Sequence, residues 1–206
     1  MDRHLSRWVF DGHIAGFGSA AGVRFVIGVW AESPLGSFSD VMAQRADGER
    51  VLLAPDREIA EFVAATYHFD LIRTGAVTSE LSDGALVVSA PGLDIAVTIG
   101  GPAPIDRLLR WVPARIATSP LWLRAIDPVA ARVMPGVRTA GAAAAGRREY
   151  YGVRRSHRIR GVDGTFDGRD LGGLAPLRPP VTFGFSSAPA SPQVVRVTTT
   201  IDGAAS

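Results

Sequence analysis

Asp-Gly pairs recur six times along this chain, at Asp11-Gly12, Asp47-Gly48, Asp83-Gly84, Asp163-Gly164, Asp167-Gly168 and Asp202-Gly203. Flanked by apolar alternation, such a pair is the strongest short-range hairpin signal, because both residues tolerate positive φ. A chain punctuated this often is expected to form antiparallel sheet. The segment DVMAQRADGERVLLAP shows the pattern most clearly, with Val41 to Ala43 and Val51 to Ala54 flanking a polar tip. A second meander is expected in TSELSDGALVVSAPGLDIAVTIG, turning at Asp83-Gly84 and Pro91-Gly92.

Helical spacing interrupts the strands twice. Asp56 to Phe69 opens with a capping aspartate and places Ile59, Phe62, Val63 and Tyr67 three and four residues apart, which predicts one apolar helix face lying on the sheet. Pro104 to Met134 reads as two or three short helices broken at Pro113, Pro120 and Pro128. After the small-residue stretch TAGAAAAG, strand character returns in REYYGVRRSHRIRGV, VTFGFS and QVVRVTTTI. Together these elements predict an α+β fold, a strongly curved antiparallel β-sheet or barrel with covering helices. At 206 residues the chain is expected to form a single domain, 1–206.

Composition removes several chemistries. There is no cysteine and no lysine; all 22 basic residues are arginine. Disulfides, thiolate metal sites and lysine imines are therefore excluded. Net charge is only +2, with acids interspersed among the arginines, so no nucleic-acid partner is expected. The N-terminal residues lack an apolar signal stretch, and no run approaches the length of a membrane span, so a cytoplasmic location is the expectation.

Recognisable motifs are scarce. Gly16 to Gly22 is glycine-rich, but a β-branched, aromatic segment follows it where a dinucleotide loop must open a helix, so it reads as a hairpin turn. The four histidines stand far apart, with no metal-ligand spacing, and no cofactor or metal is expected. No nucleophile elbow or phosphate-binding loop is present.

Arg147 to Arg160 is the richest stretch. Read as one strand, it places Arg148, Tyr150, Arg154, Ser156, Arg158 and Arg160 on a basic face. Glu149, Tyr151, Val153, Arg155, His157 and Ile159 fall on the other, which suits a cavity in which the charged groups must pair. A structural Glu–Arg pair with a satisfied histidine is the plainer reading of the same residues.

In the second helical region, Trp111 and Trp122 stand among Arg107, Arg110, Arg115, Arg124 and Arg132. Helices in a membrane interface share that make-up. Capping of a barrel end is favoured here, because Asp106, Asp127 and three prolines interrupt a continuous membrane-binding face.

Two segments resemble the acetoacetate decarboxylase-like superfamily. Ser33-Pro34-Leu35-Gly36-Ser37-Phe38-Ser39-Asp40 is similar to the family's S-P-x-G-x-aromatic-x-acid turn and strand. Gly146 to Arg155 is similar to its G-R-E-x-aromatic-G-x-P-K block. The chain as a whole also resembles a family of actinobacterial proteins. By position, the resemblance matches Asp40 to the acidic residue, Glu149 to the glutamate, and Arg155 to the imine-forming lysine. An arginine cannot lose its proton at usable pH, and no lysine stands elsewhere to replace it, so imine-based decarboxylation is excluded.

What remains is a barrel binding a small anionic or apolar molecule, with Arg155 as anion anchor and Asp40, Glu149, Tyr151 and His157 as orienting groups. An enzyme using the same residues is the alternative, with His157 or Glu149 as general acid or base and Arg155 stabilising developing charge. A peripheral membrane protein using Trp111 and Trp122 is the third reading.

Overall fold

The computed structural model describes residues 5–133, 138–142, 147–184 and 188–204. Strands β1 (Leu5–Ser19), β2 (Arg24–Glu32), β3 (Phe38–Gln44) and β4 (Arg50–Ala54) form an antiparallel meander, followed by helix α1 (Arg57–Ala64). Next come β5 (Leu71–Thr74), β6 (Thr78–Leu81), β7 (Ala85–Ala90) and β8 (Leu93–Pro102). Helices α2 (Asp106–Leu109), α3 (Ala114–Ala117) and α4 (Pro120–Val133) lead into β9 (Ala140–Ala142) and the long β10 (Arg148–Phe166). Short β11 (Arg169–Asp170) and β12 (Leu174–Ala175) precede β13 (Gln193–Ala204).

All these strands join one sheet, in the order β5-β4-β3-β2-β1-β13-β10-β8-β7-β6, with β9, β11 and β12 attached at its flanks. Every pairing is antiparallel except β4 with β5, so the sheet is mixed and the fold mostly β. The two strands at opposite ends of this order, β5 and β6, are consecutive in sequence. Only residues 75–77 separate them, so Thr74 and Thr78 stand no more than roughly 14 Å apart. The sheet must therefore curl until its edges meet, and across the seam the hydroxyls of Ser39 and Ser79 lie 2.7 Å apart.

Curling presses one face of the sheet against itself. Phe17, Phe25, Ile27 and Leu53 from the first strands pack with Leu86, Ile95, Val162 and Phe166 from the later ones. The Phe25 and Phe166 rings meet edge to face at 5.7 Å. The other face carries the helices. Asp56 caps α1 by accepting from the Ile59 N–H at 2.9 Å, and Ile59, Ala60 and Val63 of α1 pack with Phe10, Leu52 and Ile201.

Several local expectations shift. Asp47-Gly48, Asp83-Gly84 and Asp167-Gly168 lie in turns, but Asp11-Gly12, Asp163-Gly164 and Asp202-Gly203 lie within strands. At Gly12 and Gly164 a Cβ would collide with the carbonyls of Val29 and Asp94, so glycine there permits close backbone approach, at Gly12 beside a register shift in the ladder and at Gly164 with positive φ. Helix α1 ends before Tyr67, and Pro128 sits inside α4 without ending it. Val181 to Gly184 form no strand, although Val181 and Phe183 are buried; residues 185 and 186 of the expected VTFGFS strand lie outside the described residues. Gly16 to Ser19 close β1 and the turn into β2 follows through Gly22, which has positive φ, so the segment forms a hairpin and opens no helix.

Candidate functional site

Between the helix-bearing face of the sheet and the helices lies a cavity of about 340 Å³. Alternation decides which residues reach it. On β1 to β3 the even-numbered positions face it, among them Phe10, Val26 and Met42, and on β13 the odd ones do. Residues of α2 and α4, such as Leu109 and Ile126, close it from above. The wall is overwhelmingly apolar, so the few polar groups on it carry the chemistry.

Asp40 is one of them. It is buried, and its Oδ1 accepts from Trp30 Nε1 at 3.0 Å. Gly28 sits opposite Asp40 in the β2–β3 ladder, and a Cβ there would occupy the space in which that bond forms. Loss of water raises the Asp40 carboxyl to about 7, against the smaller opposing pull of the Trp30 donor.

Glu149 of β10 is fully buried beside two tyrosines of the cavity wall. Tyr67 Oη donates to its Oε1 at 2.8 Å and Tyr151 Oη to its Oε2 at 3.1 Å, while the two phenol oxygens lie 2.8 Å apart. Burial pushes Glu149 up to about 7, although Tyr67, Tyr151 and the nearby Arg147 charge pull it down. Burial, then the Glu149 charge, holds both phenols well above their usual range. Asp40 also acts on Tyr151, which links the two carboxyls through one wall. The Thr199 hydroxyl, on the same wall, is buried with no hydrogen-bond partner among the described residues.

Asp40, Glu149 and Tyr151 are thus brought together, but Arg155 and His157 are not. Val153 opposes Val197 and Arg155 opposes Arg196, leaving Arg154 as an extra residue, a β-bulge. Strand parity reverses there. Ser156 takes the cavity side expected for Arg155, and Arg155 and His157 share the opposite face with Arg196 and Val194. Arg155 instead donates from Nε to Asp106 Oδ1 at 3.0 Å, with its side chain 43% exposed. Beside it, Asp11 receives Arg154, Arg196 and Thr198.

Sequence reasoning missed Tyr67 and Thr199. Tyr67 continues the helical spacing of α1 and reads as a core residue, and one threonine in the TTT run of β13 carries no signal of its own. The polar tip of Tyr67, just past the expected helix face, is the nearest thing to a clue.

Fold and site together define a strongly curled β half-barrel with a mostly apolar cavity, whose wall carries Asp40 and the phenols of Tyr67 and Tyr151, with Glu149 buried behind them. In overall outline the chain is similar to a crystal structure of acetoacetate decarboxylase from Legionella pneumophila. The TM-score is 0.43 at 9% sequence identity, over 97% of this chain and 86% of that one. No protein-family profile matches the chain, and no curated protein matches it.

Proposed function

We propose that this half-barrel binds a small, mostly apolar molecule bearing one neutral hydrogen-bonding group. The observation that carries this reading is the buried Thr199 hydroxyl, without a hydrogen-bond partner among the described residues, in a predominantly apolar cavity. A polar group left unpaired inside a protein costs about 1–3 kcal/mol, which a ligand oxygen or N–H would recover. Asp40, near half-protonation at neutral pH, can either accept from that group or donate to it. No arginine lines the cavity among the described residues, so a neutral ligand fits better than the carboxylate that an Arg155 anchor implied.

Native mass spectrometry of freshly purified protein, against its denatured mass, tests the reading. The expected result is a discrete adduct whose occupancy falls in Thr199→Val and Asp40→Asn and is unchanged in Arg155→Ala. An adduct lost only in Arg155→Ala would overturn it.

A lysine-independent acid–base enzyme is the second reading, favoured by Asp40 in the cavity wall and Glu149 buried behind the wall tyrosines, both raised to about 7. Such a pair suits removal of a proton next to a carbonyl by one carboxylate while a neutral acid or phenol donates to the carbonyl oxygen. Incubation in heavy water with simple ketones distinguishes the two. Deuterium appearing at the carbon next to the carbonyl, and abolished by Asp40→Asn or Glu149→Gln, would make the protein an enzyme.

A further inference from the structure

We infer that the helical cap docks onto an anionic lipid surface. In α2 to α4 and their links, Trp111 is 86% exposed, Leu121 78% and Leu108 63%. Large apolar side chains gathered on one exposed region mark a site of interaction.

Charge identifies the partner. Arg107, Arg110, Arg115, Arg124 and Arg132 are all exposed. The segment's two acids are buried and held by arginines: Asp106 by Arg110 and Arg155, Asp127 by Arg138. The fold therefore removes the acids that interrupt this face in the sequence and leaves an exposed surface of arginine and apolar side chains. That combination suits the headgroup region of an anionic bilayer, where tryptophan and leucine insert and arginines meet lipid phosphates. The three helices are short and offset by prolines, so their apolar side chains project singly; a fluid surface accepts this arrangement without a complementary groove. Among the described residues no helix is long and apolar enough to cross a membrane, so the contact is with its surface.

Leu108, Trp122 and Val129 both line the cavity and reach solvent, so the cavity's rim belongs to the same face. Docking would turn that rim toward lipid. This last point rests on the proposed binding function; docking itself does not.

Co-sedimentation with vesicles of phosphatidylcholine and phosphatidylglycerol, against phosphatidylcholine alone, tests the inference at low and high salt. Binding to the mixed vesicles at low salt is expected, lost at high salt and absent without the anionic lipid. Trp111→Ser with Leu121→Ser, and separately Arg115→Glu with Arg124→Glu, should each weaken it at least about tenfold. These side chains are exposed, so an unchanged melting temperature separates lost docking from lost folding. Three results would overturn the proposal: no co-sedimentation of the wild type at low salt, variants that bind as it does, or a dimer that the Trp111 and Leu121 changes dissociate, which would give the face to a second copy. Because the assay reads lipid binding alone, its failure leaves the mass-spectrometric test of the cavity standing.

Discussion

Glu149 and Asp106 are both fully buried carboxyl groups bonded to residues of β10, and folding moves them in opposite directions. Around Glu149 the hydrogen-bond donors are two neutral phenols, so burial prevails and the group rises to about 7. Around Asp106, burial also pushes upward, but the Ser156 N–H with Arg155 and Arg110 outweighs it and holds the carboxyl below its usual range. Asp127 repeats the second pattern with Arg138 and the N–H groups of Thr139 and Ala140. Asp40, with one tryptophan donor, repeats the first. Burial alone therefore does not say whether a carboxylate is a strut or a reactive group. The charge of its partners decides: arginine fixes the ion in place, whereas neutral donors leave a proton free to come and go near neutrality.

The pH dependence of stability should show the contrast most strongly. Folded Asp40 and Glu149 keep protons that the unfolded chain has released above about 4, so between about pH 4 and 7 the unfolded state binds fewer protons and stability falls as pH rises. The loss is on the order of 3 kcal/mol for each group, and Asp40→Asn or Glu149→Gln should remove its share of the slope in denaturant titrations across that window. The arginine-bound set runs the other way. Asp106 and Asp127 stabilise above their unfolded values, and that contribution is lost as pH falls below about 4.

Asp106→Asn is expected to cost about 2 kcal/mol at neutral pH, read as a lower melting temperature, because it strips two arginines of their counter-charge and faces the Ser156 N–H with an amide. The half-exposed arginines keep the figure from being larger. Tyr67→Phe should cost about 1 kcal/mol and move the Glu149 titration still higher, since a donor to the carboxylate is lost. A downward move would break the comparison. Smallest is Arg155→Ala, at less than about 1 kcal/mol, since Arg110 and the Ser156 N–H still hold Asp106.

Much of the sheet is legible in the sequence because alternation and turn chemistry are local. The hairpins at Asp47-Gly48 and Asp83-Gly84 follow from residues within a few positions of each other, and so does the Asp56 cap. The site is legible only as far as Val153. Up to there the parity of β10 holds, bringing Tyr151 to the cavity wall and Glu149 directly behind it; one unpaired residue, Arg154, then reverses it. Nothing in a run of two arginines announces a bulge, since the bulge is set by how β13 registers against β10, a partnership between residues about forty positions apart. Two of the three Asp-Gly pairs that fall inside strands, at Gly12 and Gly164, mislead for a related reason: glycine serves close backbone approach inside a strand as readily as it serves a turn.

The place of β13 has a consequence for how the molecule is made. It lies in the middle of the sheet, between β1 and β10, and joins residues as distant as Arg7 and Asp202, 195 positions apart in sequence. During synthesis β1 to β4 can pair with one another, but β1 keeps one raw edge until residues 193–204 emerge, and β10 waits beside it. Topology of this kind folds slowly, and its intermediates carry unpaired edges that invite association. The keystone of the arch is the last strand laid, so a ribosome that stalls before it should release a chain that aggregates rather than a smaller half-barrel.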